Sequence, residues 1–420
     1  MNHSWLFILL LLCCFIGKAQ RGLVEDITIE GNKRLKTSFI KLISDVRVET
    51  PLDSTTLDND IIRLKRLPAV RHAYYQVFSS QDNSYKVFYF IEENITINPQ
   101  LNIYTTNDDE FAFRIGLYEF NALGRNIAFG GFYQRDIFDS YGVNLRIPFL
   151  FNNKVGVAIN AQRLTTQEPV FLNQGTADYR YSNTSFEVLG LYAFNFKHRV
   201  EGGLNLFNEE YEYLAGATSP EVPQRFNVDK VLLKGIYEYN ALDYYYQYIS
   251  GFKSTFNIQH VTANDPTLPD FTIWWNDFQY FTRVGDKGNW ANRLRVGLAS
   301  NADSPFAPFS VDNNLNIRGV GNTIDRGTGV VVINTEYRYT FVDKEKFTVQ
   351  GNAFIDAGSW RNPGGDFDDF GDDQNVRIYP GLGLRFTHKK IFNATFRIDY
   401  GYGITPNATS GFVFGVGQYF

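Results

Sequence analysis

VRIYPGLGLRFT at residues 376–387 places Val376, Ile378, Pro380, Leu382, Leu384 and Phe386 on one side of an extended chain, and Arg377, Tyr379, Gly381, Gly383 and Arg385 on the other. The next segment repeats the pattern. In residues 392–402, Phe392, Ala394, Phe396, Ile398, Tyr400 and Tyr402 oppose Asn393, Thr395, Arg397, Asp399 and Gly401. A soluble barrel turns its apolar face inward. Here a charged, glycine-rich face recurs through a long aromatic chain, which suits a wet lumen wrapped by lipid. The expected fold is mainly β, a transmembrane antiparallel barrel.

Working outward, residues 99–420 divide into roughly sixteen such strands, a number that leaves an aqueous lumen unless something fills it. The connections alternate in length. Those at 121–124, 152–153, 285–288, 343–346 and 388–391 are tight, whereas 165–182, 211–227, 301–327 and 361–375 are long. Short turns at one end and long loops at the other are the asymmetry of an outer-membrane barrel. The high aromatic share, 16% with 38 Phe and 26 Tyr, supplies side chains for girdles at both membrane interfaces.

The amino-terminal portion differs in texture. Residues 6–16 are an unbroken apolar run, too short to span a bilayer and followed by Gly17-Lys18-Ala19-Gln20, so residues 1–19 read as a signal peptide cleaved after Ala19. Both cysteines, Cys13 and Cys14, fall inside it, which leaves the exported chain without disulfides, thiolate metal sites or a cysteine nucleophile. Residues 20–98 then carry a strand at 24–30 turned by Gly31-Asn32, helical stripes at 38–44 and 57–67 with Asp53 or Ser54 as cap, and strands at 70–77 and 85–92. The order β-α-α-β-β makes a small α+β module.

This module, with Ile27, Ile29, Gly31-Asn32 and the closing Glu92, resembles a polypeptide-transport-associated (POTRA) domain of the BamA/TamA-like superfamily of outer-membrane assembly and secretion barrels, of the bacterial surface antigen type. The barrel carries the matching motifs. Loop 301–327 contains Asn316-Ile317-Arg318-Gly319-Val320, similar to that superfamily's Val/Ile-Arg-Gly-Tyr/Phe signature on a loop folded into the lumen, with Val320 replacing the aromatic. The partner signature Phe-x-Asp-x-Gly stands as Phe354, Asp356 and Gly358. By period 2, Phe354, Asp356 and Gly358 share an inward face with Gln350 and Asn352, and the preceding strand points Glu336 and Arg338 inward. The resemblance therefore implies that Arg318 and Gly319 seat the loop on Asp356 and Gly358, within a network of Phe354, Glu336 and Arg338. Gly415 and Phe420 resemble the terminal strand signal of such barrels, or serve simply where the last strand closes on the first.

The implied role is translocation or insertion of polypeptides at the outer membrane of a Gram-negative bacterium. The module would lie in the periplasm and take an unfolded client, plausibly along 70–77, with outer-membrane lipids and periplasmic or lipoprotein subunits as further partners. A single module favours a dedicated translocator or accessory factor over a general insertion machine. The alternative is a structural or diffusion-pore barrel. A net charge of −5 without a basic run argues against nucleic acid as partner. No enzyme, cofactor or metal site is expected. Five scattered histidines include no close ligand pair, and the acidic run 366–373 places Phe370 and Arg377 where an EF-hand loop needs oxygen ligands. Trp274-Trp275 reads as an interface anchor or part of an external face.

Overall fold

The protein is represented by a computed structural model that describes residues 22–80, 83–105, 111–172, 174–220, 222–303, 307–311, 316–320 and 325–420. The expected signal peptide lies outside the described residues. The chain then forms β1 (Leu23–Glu30), α1 (Thr37–Ile43), α2 (Ser54–Lys65), β2 (Val70–Ser79) and β3 (Ser84–Glu93). β3 is central, parallel to β1 and antiparallel to β2. Phe39, Ile40 and Ile43 of α1 and Leu57, Ile61 and Leu64 of α2 recur at helical spacing and bury against Val87, Tyr89 and Ile91 of the sheet. Asp53 caps α2 by accepting the Thr56 N–H at 3.1 Å. Gly31 turns the chain after β1 at φ +85°, where a Cβ would lie 2.3 Å from the Ile91 carbonyl oxygen.

The two edges of this sheet differ. Segment 49–52 covers the start of the β1 edge, with Val24 N–H donating to the Thr50 carbonyl at 2.9 Å and Glu49 N–H to the Val24 carbonyl at 2.8 Å. β2 forms the other edge.

The barrel runs through β4 (Ile97–Thr105), β5 (Phe111–Ala122), β6 (Ile127–Arg135), β7 (Asp139–Ile147), β8 (Val155–Leu172), β9 (Gly175–Ala193), β10 (His198–Gly216) and β11 (Arg225–Asn240). It continues through a spur, β12 (Asp243–Tyr245), then β13 (Tyr248–Ala263), β14 (Phe271–Val284) and β15 (Gly288–Ala299). A small hairpin within the long loop follows, β16 (Phe309–Val311) with β17 (Asp325–Gly327). The last strands are β18 (Gly329–Asp343), β19 (Phe347–Arg361), β20 (Val376–His388), β21 (Thr395–Tyr402) and β22 (Ser410–Val416). β22 neighbours β4 and closes the barrel. Because β13 pairs directly with β11 and β12 only extends that hairpin, sixteen antiparallel strands form the wall.

Period 2 sorts the wall as the sequence leads one to expect. Leu382 and Phe386 are 69% and 42% exposed on the outside, while Arg385 and Asp399 are fully buried inside. Trp275 also turns inward, against the cluster containing Phe309 and Val332.

Three expectations change. Segments 165–182 and 211–227, expected as external loops, are mostly ladder, since β8 and β9 pair without interruption from Val155↔Tyr192 to Leu172↔Gly175. Tyr179 and Tyr211 bury with Val170 there, and Glu168 pairs with Arg326 of β17 at 2.6 Å, so side-chain contact sustains the pairing above the wall. Residues 392–394 belong to the turn before β21, where Phe392 packs edge-on to Phe120 at 5.0 Å. The final strand stops at Val416. Gly417, at φ +97°, turns residues 418–420 inward instead of along the seam.

The module sits on the short turns. Arg66, after α2, donates to the Leu242 carbonyl at 2.9 and 2.7 Å and to the Phe196 carbonyl at 2.8 Å, and its guanidinium lies 5.3 Å from the Phe196 ring. Lys36 N–H donates to Gly124, and His72 stacks on Tyr246 at 4.8 Å.

Candidate functional site

Four adjacent strands build one face of the lumen. β18 contributes Asn334, Glu336 and Arg338; β19 contributes Asn352, Phe354 and Asp356; β20 contributes Arg385; and β21 contributes Arg397 and Asp399. Register aligns them in rows, Glu336 beside Phe354, Asn334 beside Asp356, and Arg385 beside Arg397. Glycines between them make a trough. A Cβ on Gly381 would meet the Phe354 ring at 2.1 Å, and one on Gly383 would meet Asp399 Oδ1 at 2.1 Å.

Into this trough the long loop between β15 and β18 lowers residues 316–320. Gly319 takes φ +97° and lies against Gly401, so closely that a Cβ would be 2.7 Å from the Gly401 Cα. Gly358 leaves room for Ile317, whose Cδ1 would be 2.6 Å from an added Cβ. Ile317 and Val320 bury with Val311, Val330, Val332, Trp360 and Tyr379. Val320 therefore packs as an aliphatic, and its carbonyl accepts the Thr409 hydroxyl at 2.6 Å.

Arg318 is fully buried at the centre. Its Nε and Nη2 donate to the two oxygens of Asp356 at 2.7 and 2.9 Å, and its own backbone N–H reaches Asp356 Oδ2 at 3.0 Å. Nη1 donates to Glu336 Oε2 at 2.6 Å and lies 3.5 Å from Asp399 Oδ1. The flat faces of the guanidinium are occupied too, by Phe354 at 3.6 Å and Tyr419 at 4.4 Å. Bidentate geometry with aromatic faces is a combination that arginine meets and lysine does not.

Around this centre, Arg385 donates to both Glu336 oxygens at 3.2 and 3.0 Å, to Asp399 at 3.2 Å and to Gln418 at 3.1 Å. Arg338 pairs with Glu336, and Arg397 with Asp399 at 3.3 Å. Four guanidiniums thus share three carboxylates in a cluster remote from bulk water. A second shelf extends it. Asn316 Oδ1 accepts from Arg293 and Arg295, which both bind Asp277, and Asn334 Nδ2 donates to the Asn316 carbonyl at 2.7 Å.

The structure brings together Arg318, Gly319, Glu336, Arg338, Phe354, Asp356 and Gly358. Gly415 lies at the edge of this cluster, opposite Arg397 in the ladder, where a Cβ would be 2.7 Å from Arg397 Nη2. Phe420, expected on the closing strand, instead lies inside, 6.4 Å from the Phe281 ring and 5.7 Å from the Arg338 guanidinium. The motifs do not name Arg385, Asp399 or Tyr419. The first two are visible in sequence as polar-face residues, but their convergence depends on register; nothing in the local pattern of Gly417-Gln418-Tyr419-Phe420 announces an inward turn.

The arrangement contains no nucleophile paired with a base, and its three carboxylates are each committed to guanidiniums. Among the described residues no group of three or more His, Cys, Asp or Glu is placed to hold a metal ion. Asp366, Asp369 and Asp372 of the acidic run accept backbone N–H groups of Asp368, Asn362 and Gln374. Chemically the site is a clamp that holds one loop against one wall.

No family model and no curated protein matches the chain. Solved structures do match in fold. BamA from Haemophilus ducreyi lacking POTRA domains 1–3 has a TM-score of 0.55 at 16% identity, covering 95% of this chain and 85% of that one. CdiB from Acinetobacter baumannii has a TM-score of 0.61 at 15% identity, covering 94% and 73%, and CdiB from Escherichia coli one of 0.63 at 11%, covering 94% and 76%. The chain has the fold of these barrels over nearly its whole length.

Proposed function

We propose that the protein is an outer-membrane barrel of the assembly and secretion type, which inserts or translocates polypeptides as a dedicated translocator or accessory factor. The observation that carries this reading is the Arg318 clamp. A passive pore needs no buried cluster to hold a loop across one side of its lumen, whereas a gated conduit needs a loop with a defined seat. The fold shared with BamA and CdiB barrels supports the same class, and the apolar outer wall supports a bilayer location.

The module acts as a POTRA domain on the periplasmic side and takes the client as an added strand. Its β1 edge is already occupied at its start by segment 49–52, whereas β2 forms the opposite edge and offers backbone hydrogen bonds without sequence preference. The work derives from client folding or release, the sequence having no phosphate-binding loop to supply it.

The test compares depletion of the protein with Arg318→Ala and Asp356→Ala variants whose folding is checked by heat-modifiability. A defined set of outer-membrane or secreted proteins should fall on depletion and in both folded variants. Unchanged proteomes with altered permeability to small solutes would instead establish the diffusion-pore alternative.

A further inference from the structure

The outer wall carries a feature that the lumenal clamp does not use. On β5 to β9, one outward row reads Ile115, Tyr133, Tyr141, Arg163 and Thr184, each opposite the next. The row beneath it, toward the module, reads Leu117, Gly131, Val143, Ala161 and Phe186. Leu117, Val143 and Phe186 project, being 61%, 58% and 49% exposed, while Gly131 and Ala161 between them barely leave the backbone. The result is a groove of about 750 Å³ whose lining is almost wholly apolar and whose upper lip is Arg163.

Arg163 is exposed on this outward face and has no ion pair among the described residues. Its cationic neighbour is not in that position. Arg135, one row higher, pairs with Asp139 at 3.1 Å, and Asp139 also accepts the Tyr133 hydroxyl at 2.7 Å. The nearby carboxylate is thus already neutralised. A bare guanidinium facing lipid is costly unless it meets an anion or reaches the interface. Its level is that of the interface, since the β6–β7 hairpin ends one row above and Tyr133 and Tyr141 precede it in the same row.

We propose that this groove is a binding site for an anionic, phosphate-bearing membrane lipid, with the headgroup phosphate on Arg163 and an acyl chain lying over Gly131 and Ala161 between Leu117 and Val143. The inference rests on the bilayer location proposed above and is independent of polypeptide handling. The guanidinium supplies a planar pair of donors that suits a phosphate, and the groove runs from that headgroup toward the bilayer centre as an acyl chain does.

The experiment inserts the full chain into phosphatidylcholine vesicles doped with phosphatidylglycerol, verifies folding by heat-modifiability, and measures the lipids retained on the extracted barrel by native mass spectrometry. Wild type should retain phosphatidylglycerol several-fold above its bulk proportion. Arg163→Gln should return the ratio to bulk. Ala161→Phe, which fills the groove without touching the charge, should lower total retained lipid while preserving the preference for phosphatidylglycerol. Added inorganic phosphate should not compete, because the acyl chain contributes to binding. A folded, inserted wild type without enrichment, or an Arg163→Gln variant with undiminished preference, overturns the lipid site and leaves the bilayer reading intact. Failure of the chain to insert at all overturns the bilayer reading and the inference together.

Discussion

At the scale of the residue, Arg318 is satisfied on every side, with Asp356 bidentate, Glu336 at its remaining amino group and rings on both faces. Removing it leaves buried carboxylates with one cation fewer, so Arg318→Ala should destabilise the seated loop by about 3–5 kcal/mol. The measure is the temperature at which the heat-modifiable band shifts. Arg318→Lys keeps the charge but cannot form the fork, and should recover only part of that loss; full recovery would mean that charge alone matters. Gly401→Ala places a methyl 2.1 Å from the Arg318 carbonyl oxygen. It should unseat the loop while leaving every charge in place, visible as faster hydrogen exchange at 316–320 with the barrel still folded. The signature motifs name Arg318 and Asp356, and period 2 assigns Glu336 and Arg338 to the lumen. Neither can name Arg385 or Tyr419, because alternation fixes the face of a residue and not its height, and an inward turn at a glycine has no periodic signature.

At the scale of the element, β2 and β1 make opposite predictions as edges. A photo-crosslinker at exposed Gln76 should capture client, whereas one at Leu23, in the part of β1 covered by segment 49–52, should not; equal capture at both would remove strand addition as the mode. The link between α1 and α2 has its own pH dependence. Asp60, fully buried in α2, accepts the N–H groups of Asp45 and Val46 at 2.8 and 3.1 Å and the Tyr89 hydroxyl at 3.1 Å. Burial raises its pKa despite those donors and Arg63. A folded pKa above the unfolded one means that the group's titration contributes stability below the ordinary carboxylate range, lost as pH rises through the folded value. Exchange protection of the Asp45 and Val46 amides in the full chain should therefore fall as pH rises across that window, after correction for intrinsic exchange, and Asp60→Asn should flatten the trend. Strand existence is legible wherever alternation is clean, as in β20. Strand length is less so. In β8 to β11 polar residues and Pro169 suggest a loop, but cross-strand pairing continues because Tyr179, Tyr211 and Val170 find one another across the ladder.

At the scale of the molecule, the module and barrel meet through Arg66, which fastens two different turns. Arg66→Ala should broaden the distance distribution between spin labels on α2 and on the barrel while the barrel's heat-modifiability stays unchanged. The wall itself is uneven. From Arg163 to Leu172, hairpin β8–β9 rises nine residues past the row shared with β7, roughly 30 Å along the strand and about 20–25 Å of height once tilt is allowed for. About midway up on the lumenal side, Glu168 grips Arg326, on the strand that leads the inward loop back to the wall. Mechanically this is a mast with a stay. A sideways load at the tip acts through a long arm, and the Glu168 to Arg326 tether carries it to the loop on which Arg318 rides, so touch at the outside of the molecule becomes tension on the clamp within.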